Sequence, residues 1–151
     1  MNERGAKLGA GRAVGIDPGR RRVGIAVQDD AGGTLALPHA TVERGNDEAD
    51  AVRKVSAALA AVEVSVLVVG WPLRLDGSEG AEARRARAFA GALAKAVGAP
   101  VEMLDERLTT VAAERALGAL GVRGQARRRV VDEAAAALLL QGWLDGREAR
   151  R

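Results

Sequence analysis

The sequence predicts an α/β domain in which helices cover both faces of a five-stranded mixed sheet. Three observations carry this prediction. Two short apolar segments near the amino end are joined by a tight turn, two later segments are apolar on nearly every residue, and the stretches beside them show helical periodicity. The chain has 151 residues, which fits one domain. A domain of this size buries roughly 70% of its unfolded surface and needs no covalent cross-links.

The first two strands are predicted at Val14–Asp17 and Val23–Val27. Pro18 and Gly19 lie between them and suit the second and third positions of a tight turn, so the strands should form an antiparallel hairpin. On the second strand, large aliphatic residues alternate with Gly24 and an alanine. A helix could therefore approach this second face closely.

The remaining elements follow in the order β-α-β-α-β-α-α. Their predicted ranges are 34–42, 47–62, 64–70, 79–97, 101–104, a helix between Thr110 and about Gly121, and 130–144, with an arginine-rich loop before the last helix. Pro38 interrupts the third strand, which places that strand at a sheet edge. A meander followed by crossover helices and parallel strands puts strands two and three on one side of the first strand, and strands four and five on the other. This is the RNase H-like arrangement.

Composition narrows the class of protein. The chain has no cysteine, which excludes disulfides, thiolate zinc sites and cysteine nucleophiles. It has no apolar run of the ~20 residues that a membrane-spanning helix needs. We therefore expect a cytoplasmic protein without a membrane partner. The predicted organisation is a flexible basic arm over residues 1–12, the RNase H-like domain over 13–146 and a basic tail over 147–151.

Arginines form two blocks although the net charge is only +3. One block covers Arg20–Arg22, and the other covers Arg123 and Arg127–Arg129. Either block could be ordinary solvated surface. Because the sequence also has isolated carboxylates, however, the two arginine blocks favour a phosphate-bearing partner. The candidate nucleic-acid contacts are Arg21, Arg22, Arg127, Arg128 and Arg129. Aromatic residues are scarce, so recognition should use backbone and shape rather than base stacking.

Carboxylates from three parts of the sequence are predicted to converge. Asp17 ends the first strand, Asp105 and Glu106 end the fifth, and Asp132 opens the last helix. Sites in open α/β sheets form at the carboxyl ends of strands. Converging carboxylates repel one another unless a cation lies between them, and Mg²⁺ or Mn²⁺ suits oxygen ligands.

The predicted catalytic and metal-binding set is Asp17, Glu106 and Asp132, with Asp105 as the alternative to Glu106. A pair of such metal ions can activate water and stabilise the leaving oxygen of a phosphodiester. Taken singly, each acid has a structural explanation, as a turn former, a salt-bridge partner or a first-turn helix residue. Their joint placement favours a site.

Seven motifs together carry a family resemblance. They are Gly15–Gly19, Arg22–Ala26, Val68–Leu73, Asp76–Gly80, Arg87–Ala90, Leu104–Thr110, and Val131–Ala135 with Leu138–Leu140. In this order, over residues 13–146, the sequence resembles the YqgF family of pre-16S rRNA nucleases, once described as Holliday junction resolvase-like. The segment Leu104–Thr110 and the loop that ends at Gly80 are the most specific. The glycine motif at Asp17 alone also resembles the phosphate hairpin of actin-like ATPases, which need two such domains.

The resemblance implies an RNase H-like fold, divalent metal, a cytoplasmic location and a role in maturing the 5′ end of 16S rRNA. It assigns the acids to Asp17, the Asp105–Glu106 pair and Asp132. The leading hypothesis is a metal-dependent endonuclease on structured rRNA or ribosomal particles, acting as a monomer or homodimer. Two alternatives stay open. A resolvase cutting branched DNA would need a symmetric dimer, and an assembly factor would bind rRNA without cutting.

Overall fold

A computed structural model describes residues 11–45, 47–105 and 124–149 of the chain, with the side chains of the last segment described for 132–147. Eight elements lie in these ranges. They are β1 (Arg12–Pro18), β2 (Arg22–Gln28), β3 (Ala36–Glu43), α1 (Glu48–Ala58), β4 (Val64–Trp71), α2 (Ala81–Val97), β5 (Val101–Asp105) and α3 (Gly124–Ala149). The helix predicted between Thr110 and Gly121 lies outside the described residues.

The five strands form one sheet in the order β3-β2-β1-β4-β5. The β1–β2 and β2–β3 pairs are antiparallel, while β1–β4 and β4–β5 are parallel. The predicted mixed sheet and its strand order are confirmed. Pro38 lies on the edge strand β3, beside a shift in register against β2, which is where a residue without an N–H is tolerated. Strands β1, β3, β4 and β5 all end at the same border of the sheet, hereafter the carboxyl edge.

One face of the sheet packs on α1 and α2 through large side chains. Asp47 caps α1 by accepting a hydrogen bond from the Asp50 backbone N–H (2.9 Å), and Gly98 ends α2 in a left-handed conformation with φ 77°. The core on this face contains Val14, Ile16, Val23, Ile25, Val27, Val55, Leu59, Leu67, Val69, Phe89 and Leu93. Most of the buried aliphatic side chains in the described ranges lie on this side.

The opposite face packs on α3 through smaller residues of the sheet. Its buried cluster contains Ala13, Ala26, Val68, Ala136, Leu139, Leu140, Trp143 and Leu144. Gly15 lies under α3, where an added Cβ would be 2.8 Å from both the Ala136 carbonyl oxygen and the Leu140 Cβ. Helices on both faces, and the close approach predicted over β2, are therefore confirmed.

The predicted bounds of α3 were wrong. This helix begins at Gly124, so the backbone of Arg127–Arg129 is helical and does not form the predicted loop. Arginine, alanine and glutamine are good helix formers, and no proline interrupts the segment. Asp132 consequently lies two turns inside the helix rather than at its start.

The predicted arm and the predicted tail each overlap a regular element. Arg12, which the prediction assigned to the arm, is the first residue of β1, and its N–H donates to the Glu63 carbonyl at 2.8 Å. Residues 147–149, assigned to the tail, continue α3. The rest of the predicted arm, residues 1–10, lies outside the described residues. Within the ranges that the structure describes, no helix has the length and apolar character to cross a bilayer.

Candidate active site

Asp17 lies at the carboxyl edge on the face that α3 covers. It is directly opposite Gly24 in the antiparallel β1–β2 pair, and opposed residues in such a pair project to the same face. Gly15, two residues earlier on β1, already lies against α3. Strand alternation therefore assigns Asp17 to the α3 face, and its side chain is partly exposed.

Asp132 lies directly over Gly24. A Cβ built on Gly24 would be 2.0 Å from the Asp132 carbonyl oxygen, so only glycine fits under the helix at this point. Because Gly24 is paired with Asp17, the helix contact places Asp132 beside the end of β1. The structure thus brings together two of the predicted acids, although they are separated by more than a hundred positions in the sequence.

Arg22 holds the Asp132 carboxylate. Its Nε donates to Asp132 Oδ2 at 2.7 Å, and both side chains are only 20% exposed. On the next position of the helix, Glu133 accepts a hydrogen bond from the Thr41 hydroxyl of β3 at 3.1 Å. Sequence reasoning had assigned Arg22 to nucleic acid and missed this ion pair. The signal was available in the alternation of β2, because Arg22 and Gly24 share a face.

Of the two acids predicted at the end of β5, the structure describes only Asp105. Val101 and Met103 pack on the α1–α2 core, while Leu104 packs on the α3 cluster. Alternation therefore assigns Asp105, which is exposed, to the α1–α2 face, away from Asp17. Glu106 lies outside the described residues.

The predicted nucleic-acid arginines are only partly described. Arg21 is exposed, and its carbonyl oxygen accepts the Arg44 N–H at 2.8 Å. For Arg127–Arg129 the structure gives the helical backbone but the side chains lie outside the described part. In the ranges that are described, no three His, Cys, Asp or Glu side chains form a group able to hold a metal ion. The predicted set of three extends beyond those ranges to Glu106.

Comparison with known proteins decides the family. The family model RuvX, described as Holliday junction resolvase, matches residues 11–146. This chain belongs to the RuvX family. RuvX and YqgF are names of one family, so the resemblance found in the sequence motifs is confirmed.

Two bacterial relatives cover nearly the same length. A protein of Anaeromyxobacter sp. (strain Fw109-5) is 51% identical over 138 residues, which are 91% of this chain and 99% of that protein. One of Myxococcus xanthus (strain DK1622) is 46% identical over 138 residues, 89% of this chain and 87% of its own. Both carry the name "Putative pre-16S rRNA nuclease". The nuclease class predicted from the sequence agrees with these names.

A solved structure supports the fold independently. The structure of Thermus thermophilus RuvC aligns with a TM-score of 0.53 and 19% identity over 91% of this chain and 96% of that one. The same protein in complex with a Holliday junction substrate aligns with a TM-score of 0.52 and 18% identity over the same shares. This member of the RuvX family therefore has the RuvC-like, RNase H-like fold predicted from its strand order.

Proposed function

We propose that this protein is a metal-dependent endonuclease that hydrolyses phosphodiester bonds of pre-16S rRNA and matures its 5′ end. The observation that carries the proposal is the seating of Asp132 over Gly24, beside Asp17 at the carboxyl edge. Asp17 at the strand end and Asp132 on the helix above it can both offer carboxylate oxygens to one cation, and Arg22 orients the second of these acids. The names of the relatives support pre-16S rRNA as the substrate.

The donor chemistry fits a hard divalent cation. Asp17 and Asp132 provide carboxylate oxygens, which Mg²⁺ and Mn²⁺ prefer, and Glu106 is proposed as the third ligand because Asp105 belongs to the other face. Arg22 engages one oxygen of Asp132, Oδ2, which leaves the other oxygen for a ligand role. Such a metal, when bound, activates water and stabilises the leaving oxygen.

The protein contributes positioning. Asp17 is fixed by the β1–β2 hairpin, and Pro18 restricts the backbone at the strand end. Asp132 is fixed by its ion pair with Arg22 and by the backbone contact over Gly24. The backbone of Asp17 and the carboxylate of Asp132 are thus held before substrate arrives, which reduces the entropy lost when the reacting groups are brought into position. Arg22 acts here as a positioning residue.

We place the protein in the cytoplasm, with structured rRNA or ribosomal particles as its partner and with a monomer or homodimer as the working unit. Backbone phosphates should be bound by Arg21 and by Arg127–Arg129. Replacing Arg127, Arg128 and Arg129 by Ala should lower the slope of log affinity against log salt by about 0.9 per lost phosphate contact on duplex regions. An unchanged slope in a filter-binding titration would assign these arginines to ordinary solvated surface.

The decisive test is cleavage of a precursor rRNA fragment by the wild type and Asp17→Asn, with Mg²⁺, Mn²⁺ or EDTA. The substitution keeps size and removes charge. It should abolish cleavage, leave RNA binding intact and leave thermal stability unchanged or higher. The matched control is Asp30→Asn, which alters an exposed turn aspartate after β2, at the other border of the sheet. Normal cleavage by Asp17→Asn would refute the assignment of the acids.

A second candidate activity is resolution of branched DNA, favoured by the description of the family and by the RuvC-like fold. The same assay with a four-way junction separates the two. Symmetric nicking of the junction by a dimer, without cleavage of the rRNA, would replace the rRNA proposal. If neither substrate is cut with either metal while rRNA is bound, the protein is an assembly factor that binds without cutting.

A further inference from the structure

A cavity of about 630 Å³ opens at the carboxyl edge on the α1–α2 side of the sheet. The β1–β2 turn, the residue that follows β3, the loop after β4 and the start of α2 form its wall. The lining residues are Asp17, Pro18, Gly19, Arg20, Arg44, Pro72, Glu82, Arg85 and Ala86. The cavity thus adjoins the proposed metal site, with the end of β1 between them.

The charge of this cavity is unbalanced toward positive. Arg20 pairs with Glu82, with Nε and Oε1 2.6 Å apart. Asp17 belongs to the cavity rim but, by strand alternation, to the opposite face of the sheet. In the described part of the chain, Arg44 and Arg85 form no ion pair with an acid. Three arginines and two acids therefore line the concave surface, which leaves one net positive charge among these residues and favours an anion.

Arg44 is held in place before any ligand binds. Its Nη1 donates to the Gly19 carbonyl oxygen at 3.0 Å, and its guanidinium carbon lies 5.0 Å from the centre of the buried Phe89 ring. Stacking on an aromatic face and a backbone hydrogen bond restrict the arginine while leaving other N–H donors available. An anion bound here would cost little additional side-chain entropy.

We propose that this cavity, hereafter the arginine pocket, binds a backbone phosphate of the nucleic-acid strand through Arg44 and Arg85. The inference rests on the proposed nuclease function and deepens it. The strand would cross the carboxyl edge, with the scissile bond at the acids on the α3 side and another phosphate in the pocket on the α2 side. Guanidinium groups match phosphate oxygens in geometry, and the described residues that line the pocket include no aromatic ring on which a base could stack.

The test uses full-length protein, a fluorescently labelled precursor rRNA fragment and EDTA, so that binding is measured without cleavage. Arg85→Ala should weaken binding about tenfold near 0.1 M salt and lower the salt slope by about 0.7–0.9 units, the value for one phosphate. Arg44→Lys keeps the charge but removes the paired N–H donors of the guanidinium group, and should weaken binding several-fold. The matched control is Arg84→Ala, which removes the same charge from the same helix one position away and outside the pocket.

Each outcome bears on the pocket separately from the nuclease activity. In the cleavage assay, Arg85→Ala should raise KM and leave kcat unchanged. A wild type that binds RNA through Arg85 but never cuts would retain the pocket and refute the nuclease proposal. Equal affinity and equal slope for Arg85→Ala and Arg84→Ala would overturn the pocket. So would a polyglutamate peptide that competes for the pocket as well as RNA does, because it would indicate an acidic protein as the ligand.

Discussion

The two faces of the sheet are built from different residues and serve different purposes. The α1–α2 face interlocks long aliphatic and aromatic side chains around Phe89. The α3 face instead presents Gly15, Gly24 and small alanines, so that the backbone of α3 comes into direct contact with the strands. The first face buries most of the apolar volume, which supplies most of the stability of a domain. The α3 face buries less apolar volume, but it brings the backbone of α3 close to β1 and β2.

The contrast shows how a small domain can place a carboxylate precisely. Large side chains between a helix and a sheet keep their backbones apart, whereas glycine lets the helix backbone touch the strand. Asp132 reaches the end of β1 because Gly24 has no side chain. Adding even a methyl group to a glycine on the α3 face should therefore displace the helix and the site. Substitutions in the α1–α2 core should lower stability but leave the site in place.

The largest expected effect is on the α1–α2 face. Phe89→Ala should lower the free energy of unfolding by about 3–5 kcal/mol, because a fully buried ring is replaced by a cavity. Phe89→Leu retains more of the volume and should cost clearly less. Urea denaturation followed by circular dichroism measures both. A loss under 1 kcal/mol for the alanine variant would mean that this face does not carry the stability assigned to it.

On the α3 face, Gly24→Ala should cost about 3 kcal/mol and abolish metal-dependent cleavage. The new methyl group meets the Asp132 carbonyl oxygen, a backbone atom that cannot rotate away, so α3 must move. Gly142→Ala, in the helix α3 that packs on β2, is the control. Among the described residues, and apart from the backbone of its own helix, nothing lies within 4 Å of its added methyl, and alanine in a helix interior should stabilise by about 0.5–1 kcal/mol. Equal stabilities for the two variants would contradict the close approach.

A smaller effect is expected at the ion pair that fixes Asp132. Removing the charge in Asp132→Asn leaves Arg22 without its partner at a site only 20% exposed, which should cost about 1–2 kcal/mol. Arg53→Gln breaks the pair between Arg53 and Asp50, in which the arginine is largely exposed, and should change stability by less than about 0.5 kcal/mol. A double-mutant cycle of Arg22 and Asp132 isolates the coupling. A coupling indistinguishable from zero would remove the positioning role of Arg22.

Local sequence pattern was sufficient for the sheet. Alternation in β2 predicted the close approach of a helix, and the proline in β3 predicted the sheet edge. The succession of a meander, crossover helices and parallel strands predicted the strand order. The start of α3 was missed because a run of arginines was interpreted as a loop, although its residues are good helix formers.

The candidate site was only partly predictable because it depends on tertiary contacts. The position of Asp17 at the carboxyl edge followed from strand-end geometry, whereas Asp132 was assigned to a helix start that the structure places at Gly124 instead. The Arg22–Asp132 pair joins residues 110 positions apart and requires knowing how α3 lies on β2. The choice against Asp105 likewise needed the face that each β5 residue occupies, which the structure shows through Met103 and Leu104.

The most direct test of the site is a Mn²⁺ titration of the wild type, Asp17→Asn and Asp30→Asn, with free Mn²⁺ followed by electron paramagnetic resonance. We expect the wild type and the control to bind Mn²⁺ with equal affinity. Loss of a charged ligand should weaken binding by Asp17→Asn at least tenfold, a difference of about 1.4 kcal/mol. Thermal unfolding should show the same order, because a ligand of the folded state stabilises it by mass action. Equal Mn²⁺ affinity in Asp17→Asn and the wild type would contradict the metal site at the carboxyl edge.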